Sequence, residues 1–150
     1  MSTSIIVVGA SGRMGKTISG LVEADPQFTL AGLVDSPERV GALAGAACPV
    51  SDSLAALLPK LPGAVVIDFT APAVSLQSAK AVAQTGNALV IGTTGFTDEE
   101  KDELRVLADK APIFWASNCP SSPRPWARIM ILKWWNCTTT AKRTAPAARP

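Results

Sequence analysis

The sequence predicts an α/β chain, a doubly wound parallel sheet of Rossmann type, and three observations carry that reading. Short apolar runs alternate with helical patterns from residue 4 to about residue 117, with brief connections between them. Such alternation argues for parallel strands joined by right-handed crossovers. The strand runs are apolar throughout, as helices covering both faces of a sheet require. Between the first strand and the first helix lies Gly9-Ala10-Ser11-Gly12-Arg13-Met14-Gly15, a glycine turn in the strand–turn–helix order that suits a dinucleotide's pyrophosphate.

Each element has its own signal. Residues 4–8 are a β-branched strand, and residues 12–24 follow with Met14, Ile18, Leu21 and Val22 on one helical face. Residues 28–34 read as a second strand closed by Asp35-Ser36-Pro37, where Pro37 suits the first turn of a helix and Ser36 its cap. Residues 40–47 are Gly-rich and only partly helical in pattern, and residues 51–58 make a short helix stopped before Pro59. Residues 64–68 are a buried strand, and residues 72–84 a helix that opens on proline and is released at Gly86. Residues 88–91 form the next strand, ending in Gly92-Thr93-Thr94-Gly95. Residues 97–110 are a helix in which Thr97 and Glu100 have capping-box spacing, and residues 112–116 are the last strand.

Composition narrows the function classes. With 47% hydrophobic and 17% charged residues, a chain of 150 residues can bury a core and lies well outside the disordered range. No apolar run approaches the roughly twenty residues needed to span a bilayer. The N-terminus has no basic region ahead of its apolar run, so a strand is expected there and not a signal peptide. Cys48, Cys119 and Cys137 are odd in number and lack metal-like spacing, which points to a reduced, cytoplasmic protein without a metal site. Cys48 reads as a small apolar filler. The sequence contains no histidine, the commonest general acid/base.

The net charge of +2 conceals an asymmetry. Residues 1–118 hold 8 basic and 12 acidic side chains, whereas residues 119–150 hold 6 basic and no acidic ones. That last segment also carries Trp126, Trp134 and Trp135 and five of the twelve prolines. Its charges have neither helical periodicity nor an organised aromatic stripe, so neither nucleic acid nor membrane is expected as a partner.

Ligands of doubly wound sheets gather at the carboxyl ends of the strands. Four features fall there: residues 9–15, Asp35, residues 92–94, and Ser117-Asn118. Gly9 allows the turn, Gly12 the approach of the pyrophosphate, and Gly15 close contact between helix and strand. Asp35 follows Gly15 by about twenty residues, the spacing at which a carboxylate accepts from the adenosine ribose hydroxyls. The same aspartate also suits a helix cap. Arg13 and Arg39 fit a 2′-phosphate, or are solvated surface residues. The acid at position 35 favours NADH, and the arginines leave NADPH open. Asp68-Phe69-Thr70 and Gly92-Thr93-Thr94-Gly95-Phe96 read equally well as ordinary polar loop chemistry.

Four stretches together carry a more specific resemblance. They are Val-Gly-Ala-Ser-Gly-Arg-Met-Gly at 8–15, Ile-Asp-Phe-Thr at 67–70, Val-Ile-Gly-Thr-Thr-Gly-Phe at 90–96 and Ala-Ser-Asn at 116–118. In this order they resemble dihydrodipicolinate reductase, the 4-hydroxy-tetrahydrodipicolinate reductase family of lysine and diaminopimelate synthesis. The resemblance covers residues 4–118. It implies a Rossmann domain over residues 1–118 that binds NADH or NADPH. In the family, an α+β domain comes next, which binds a small dicarboxylate and builds a tetramer. By that resemblance Gly9, Ala10, Ser11, Gly12, Arg13, Met14 and Gly15 hold the pyrophosphate, and Asp35 the adenosine ribose. Gly92, Thr93 and Thr94, with Ala116, Ser117 and Asn118, line the nicotinamide end. The position after the ribose-binding acid, often arginine in the family, is Ser36 here, so NADP preference would rest on Arg13 or Arg39.

The resemblance stops at Cys119. The family continues with a Phe-or-Met-Ser-x-Gly helix and later carries Glu-x-His-His-x-x-Lys-x-Asp-x-Pro-Ser-Gly-Thr, whose histidine is the proposed proton donor; neither is present. Trp134-Trp135-Asn136-Cys137 must be encoded TGG-TGG-AAY-TGY. Joining each codon's last base to the next two bases forces Val-Glu-Leu. Extended, that frame permits Val-Glu-Leu-His-His-His-Arg-Lys-Lys-Asp-x-Pro-Ser-Gly-Thr. Residues 119–150 are therefore expected to be an out-of-frame remnant of the catalytic domain, without fixed structure, leaving no catalytic residue and no family tetramer here. Two alternatives remain: a non-catalytic nucleotide-binding module, and another Rossmann oxidoreductase acting on an aldehyde or acyl-CoA.

Overall fold

Six strands pair in the order β3-β2-β1-β4-β5-β6, every pair parallel. They are β1 Thr3–Val8, β2 Phe28–Val34, β3 Val50–Ser51, β4 Val65–Asp68, β5 Ala88–Ile91 and β6 Ile113–Trp115. The helices are α1 Arg13–Ala24, α2 Leu54–Leu57, α3 Pro72–Thr85 and α4 Asp98–Ala108. This is a computed structural model, and it describes residues 2–115. The expected Rossmann-type sheet is present, with its order reversing between β1 and β4, where a doubly wound sheet opens its ligand crevice.

Burial explains the apolar runs. Ile5, Ile6 and Val7 of β1 are fully buried, so the central strand is covered on both faces. Ile6, Val8, Val66, Leu89 and Ile91 form one cluster with Leu57 of α2, Leu76 and Val82 of α3 and Leu104 of α4. Ile18 and Val22 of α1 are buried apart from that cluster. A right-handed crossover outward from β1 puts α1 on one face, and one outward from β4 puts α3 on the other. Each such side chain taken from water stabilises the fold by roughly 1.5–3 kcal/mol.

The helix ends follow the sequence signals where those are local. Pro72 opens α3, and Gly86 closes it with φ 75°, donating its N–H to the Val82 carbonyl at 2.8 Å. The α4 capping box has both halves: Glu100 N–H donates to Thr97 Oγ1 at 3.2 Å, and Thr97 N–H to Glu100 Oε2 at 2.9 Å.

Three expectations need correction. No helix begins at Pro37: the Ser36 carbonyl accepts from Arg39 and Val40, closing a turn that leads only into a 3-10 segment, Val40–Leu43. The expected helix over 51–58 is shorter, because Val50–Ser51 pairs with Leu33 and Val34 as an additional strand, too brief for periodicity to reveal. Pro59 does not end the helical path either. It sits at the start of a 3-10 turn, Leu58–Lys60, where its missing N–H costs no hydrogen bond. Ala116 of the last expected strand, and the expected tail over 119–150, lie outside the described residues.

Candidate functional site

The site begins where β1 stops. Gly9 has φ 74°, and both its N–H and that of Ala10 donate to the Val34 carbonyl, at 2.8 and 3.2 Å. The turn is thereby tied to the end of β2. Gly12 N–H returns to the Gly9 carbonyl at 3.1 Å, and α1 starts immediately after. A Cβ on Gly15 would lie 2.2 Å from the Gly9 carbonyl oxygen and 2.6 Å from Ala10 Cα, so only glycine lets the helix stand this close to the turn. Gly12 brings no capping side chain, and the N–H groups of Arg13 and Met14 have no acceptor among the described residues. Free amides at the positive end of a helix dipole are an anion site. Ala10 is buried, Ser11 and Gly12 half-buried, and Arg13 and Met14 exposed at the rim.

Asp35 faces this turn from the end of β2. Its Oδ2 accepts from Ser11 N–H at 2.7 Å and its Oδ1 from Ser36 N–H at 2.8 Å. A carboxylate has about four acceptor positions, so each oxygen keeps one for a hydroxyl ligand. Partial burial pushes the acid up, but hydrogen bonds from Ser11 and Ser36 and the charge of Arg39 outweigh it and hold Asp35 below the ordinary carboxylate value. Arg39, although exposed, therefore acts on the same corner of the site. The helix-cap alternative for Asp35 falls with the missing helix at Pro37; its carboxylate serves the glycine turn instead.

Across the switch point, β4 and β5 supply the other wall. Gly92 N–H donates to the Asp68 carbonyl at 2.8 Å, and the Phe69 ring lies over Gly92 so closely that a Cβ there would be 1.9 Å from Phe69 Cε1. Thr93 is buried while Thr94 is exposed. The structure thus brings residues 9–15 and Asp35 together, and places residues 92–94 in the loop that follows β5, the strand two positions from β1. Ala116, Ser117 and Asn118 lie outside the described residues.

The sequence singles out Asp68, Thr70 and Thr93, but not Ser75 and Ser78 or the cluster that the five form. Asp68 is fully buried, and its Oδ1 accepts from Thr70 N–H at 3.0 Å, Thr70 Oγ1 at 2.6 Å and Ser75 Oγ at 3.1 Å. Its Oδ2 accepts from Ser78 Oγ at 2.7 Å. Ser75 Oγ is also 2.7 Å from Thr93 Oγ1. With one proton to give, Ser75 donates to the carboxylate and accepts from Thr93. The signal was available: Ser75 and Ser78 share the apolar face of α3 with Leu76, Ala79 and Val82. Hydroxyls on a core face call for a buried acceptor.

Other chemistry is sparse. Among the described residues no group of His, Cys, Asp and Glu could hold a metal, and no helix is long and apolar enough to cross a membrane. Burial, with a smaller contribution from Glu23, pushes the Cys48 thiol up, against a lowering backbone hydrogen bond, which leaves it a poor nucleophile.

Residues 3–119 match the family model described as dihydrodipicolinate reductase, N-terminus. The chain belongs to that family. A 4-hydroxy-tetrahydrodipicolinate reductase from Desulfovibrio desulfuricans is 76% identical over 118 residues, covering 79% of this chain and 46% of that protein. One from Oleidesulfovibrio alaskensis is 53% identical over the same shares of the two chains. Among solved structures, a dipicolinate-bound dihydrodipicolinate reductase from Paenisporosarcina sp. TG-14 superposes with a TM-score of 0.63 at 27% identity, over 72% of this chain and 43% of that one. The match therefore spans less than half the length of these relatives.

Proposed function

We propose that this chain is the cofactor half of a 4-hydroxy-tetrahydrodipicolinate reductase, binding NADH or NADPH at residues 9–15, Asp35 and residues 92–94. The observation that supports it best is the Ser11 N–H to Asp35 Oδ2 bond of 2.7 Å, which sets a carboxylate beside a helix terminus with free amides. The residues fit the group: a Cβ on Gly12 would lie 3.2 Å from the Gly9 carbonyl oxygen, so a side chain there would crowd the turn that approaches the phosphates. A nicotinamide cofactor supplies the hydride when bound.

The chain's own residues bind and orient. Amides of Arg13 and Met14 receive phosphate oxygens, and the spare lone pairs of Asp35 take the ribose hydroxyls. Residues 92–94 line the nicotinamide end, completed in this reading by Ala116, Ser117 and Asn118. The substrate would be the small unsaturated dicarboxylate ring on which its relatives act, in the cytoplasm. No histidine is present to deliver a proton, and we place that group in the segment encoded out of frame after residue 118. The expected result is cofactor binding without turnover and without the family tetramer.

Titration of the 150-residue chain with NADH and with NADPH, followed by melting temperature, tests the binding. A ligand at a hundred times its Kd stabilises by about 2.7 kcal/mol. No shift with either at millimolar concentration overturns the reading. Reductase turnover near that of full-length relatives would overturn the assignment of catalysis elsewhere, and sequencing the gene beyond codon 110 tests the frame.

A further inference from the structure

The buried Asp68 cluster reaches both walls of the crevice. On the β1 side, the 2.6 Å bond from Thr70 Oγ1 fixes that side chain with its methyl over Gly9, where an added Cβ would come within 2.7 Å of Thr70 Cγ2. On the β5 side, Ser75 passes the connection on to the hydroxyl of Thr93, 2.7 Å away. Thr93 is consequently turned inward and only 7% exposed.

Stability alone does not call for this arrangement. A buried carboxyl with its donors is no more stabilising than apolar residues of similar volume, whereas each donor left without it is costly. What the cluster adds is geometry: one rigid acceptor fixes the side chains of two loops that apolar packing would leave free to rotate.

We propose that Asp68 is a positioning residue for cofactor binding, holding the glycine turn through Thr70 and the 92–94 loop through Ser75 and Thr93. This rests on the cofactor reading above. The two arms are separable, because Ser75 alone connects to Thr93, whereas Ser78 meets only Oδ2.

The test compares NADH with ADP-ribose, which keeps the pyrophosphate and adenosine but lacks the nicotinamide, as ligands of the 150-residue chain. Ser75→Ala raises the Kd for NADH about tenfold and leaves that for ADP-ribose within about twofold, the scale of one lost hydrogen bond. Ser78→Ala lowers the melting temperature by a similar amount but leaves the NADH to ADP-ribose ratio unchanged. Asp68→Asn weakens both ligands. Should Ser75→Ala not fold, Thr93→Val cuts the same bond from its other end and gives the same selective loss. If Ser75→Ala or Thr93→Val weakens both ligands equally, or neither, while the parent binds both, this inference fails alone. If the parent binds neither ligand, the cofactor reading fails and this one with it.

Discussion

Gly15→Ala puts the close approach of α1 to the turn to a quantitative test. The added methyl would meet the Gly9 carbonyl oxygen at 2.2 Å, Ala10 Cα at 2.6 Å and the Ala10 carbonyl carbon at 2.8 Å. All three are backbone atoms, so no rotamer change relieves the contact. Carbon contacts settle near 3.5–4.0 Å, and the helix must retreat by about 1 Å, forfeiting a quarter to a half of the dispersion energy at its buried face. Ile18 and Val22 carry that face. Overpacking of this kind costs about 1–3 kcal/mol, against a gain of about 1 kcal/mol from replacing a helical glycine. The net expectation is a loss of up to about 2 kcal/mol, or a melting temperature lower by up to roughly 10 °C for a domain of this size. Gly20→Ala is the internal control. It lies on the same helix with nothing within 4 Å of the added methyl, and it should raise the melting temperature by a few degrees. Thermal melts of the two variants, with NADH titrations, read out both effects. If Gly15→Ala melts at or above the parent and binds NADH equally well, the argument that the turn needs a bare α-carbon at this point is wrong.

Asp35→Asn removes an acceptor shared by Ser11 and the proposed ribose, and should weaken NADH by about tenfold in a fluorescence titration. Its pH signature has a definite sign. The folded-state value lies below the ordinary 3.8, so the stabilisation is complete above that pH and is lost as pH falls through the lower folded value. Melts taken from pH 5 downward should therefore fall less steeply for the variant, with Asp98, also held low by its hydrogen bond and attraction to Lys101, adding an equal background to both proteins. Thr97→Ala breaks the α4 capping box and should cost about 1 kcal/mol by denaturant unfolding while leaving NADH affinity unchanged. NADPH should bind more weakly than NADH because a 2′-phosphate meets the Asp35 carboxylate, and Arg39→Ala should widen the gap; equal affinities would remove the charge argument.

Most of what the sequence makes legible rests on local chemistry. The glycine turn, the proline and glycine at the ends of α3 and the Thr97–Glu100 box are all encoded within a few residues, and each appears where the pattern places it. Most of what escaped depends on partners far along the chain. Val50–Ser51 becomes a strand only because Leu33 and Val34 offer an edge, and two residues carry no periodicity. Pro37 offers a good helix start, yet the Ser36 carbonyl takes the amides of Arg39 and Val40 and the chain turns. Asp68, Ser75 and Thr93 are separated by loops and a helix, so their union is a property of the packed sheet.

That separation explains how the two walls of the crevice are built from different materials. In the proposed reading the β1 wall lets backbone amides approach a charged ligand, which demands the absence of side chains; glycine provides it, and the helix N-terminus supplies the field. The β5 wall must present a loop in one conformation, which demands side chains that cannot rotate. Gly92 lies under the Phe69 ring and Thr93 is bonded inward to Ser75, so both residues of that loop are fixed from the β4–α3 connection and the first turn of α3. β4 thus stands between the walls, and the residues at its end constrain each: the Thr70 methyl covers Gly9 on one side, and the Phe69 ring covers Gly92 on the other. Asp68-Phe69-Thr70 therefore touches both loops, directly or through Thr70, and on the proposed cofactor reading a change at any of the three should alter affinity even where the ligand never touches it.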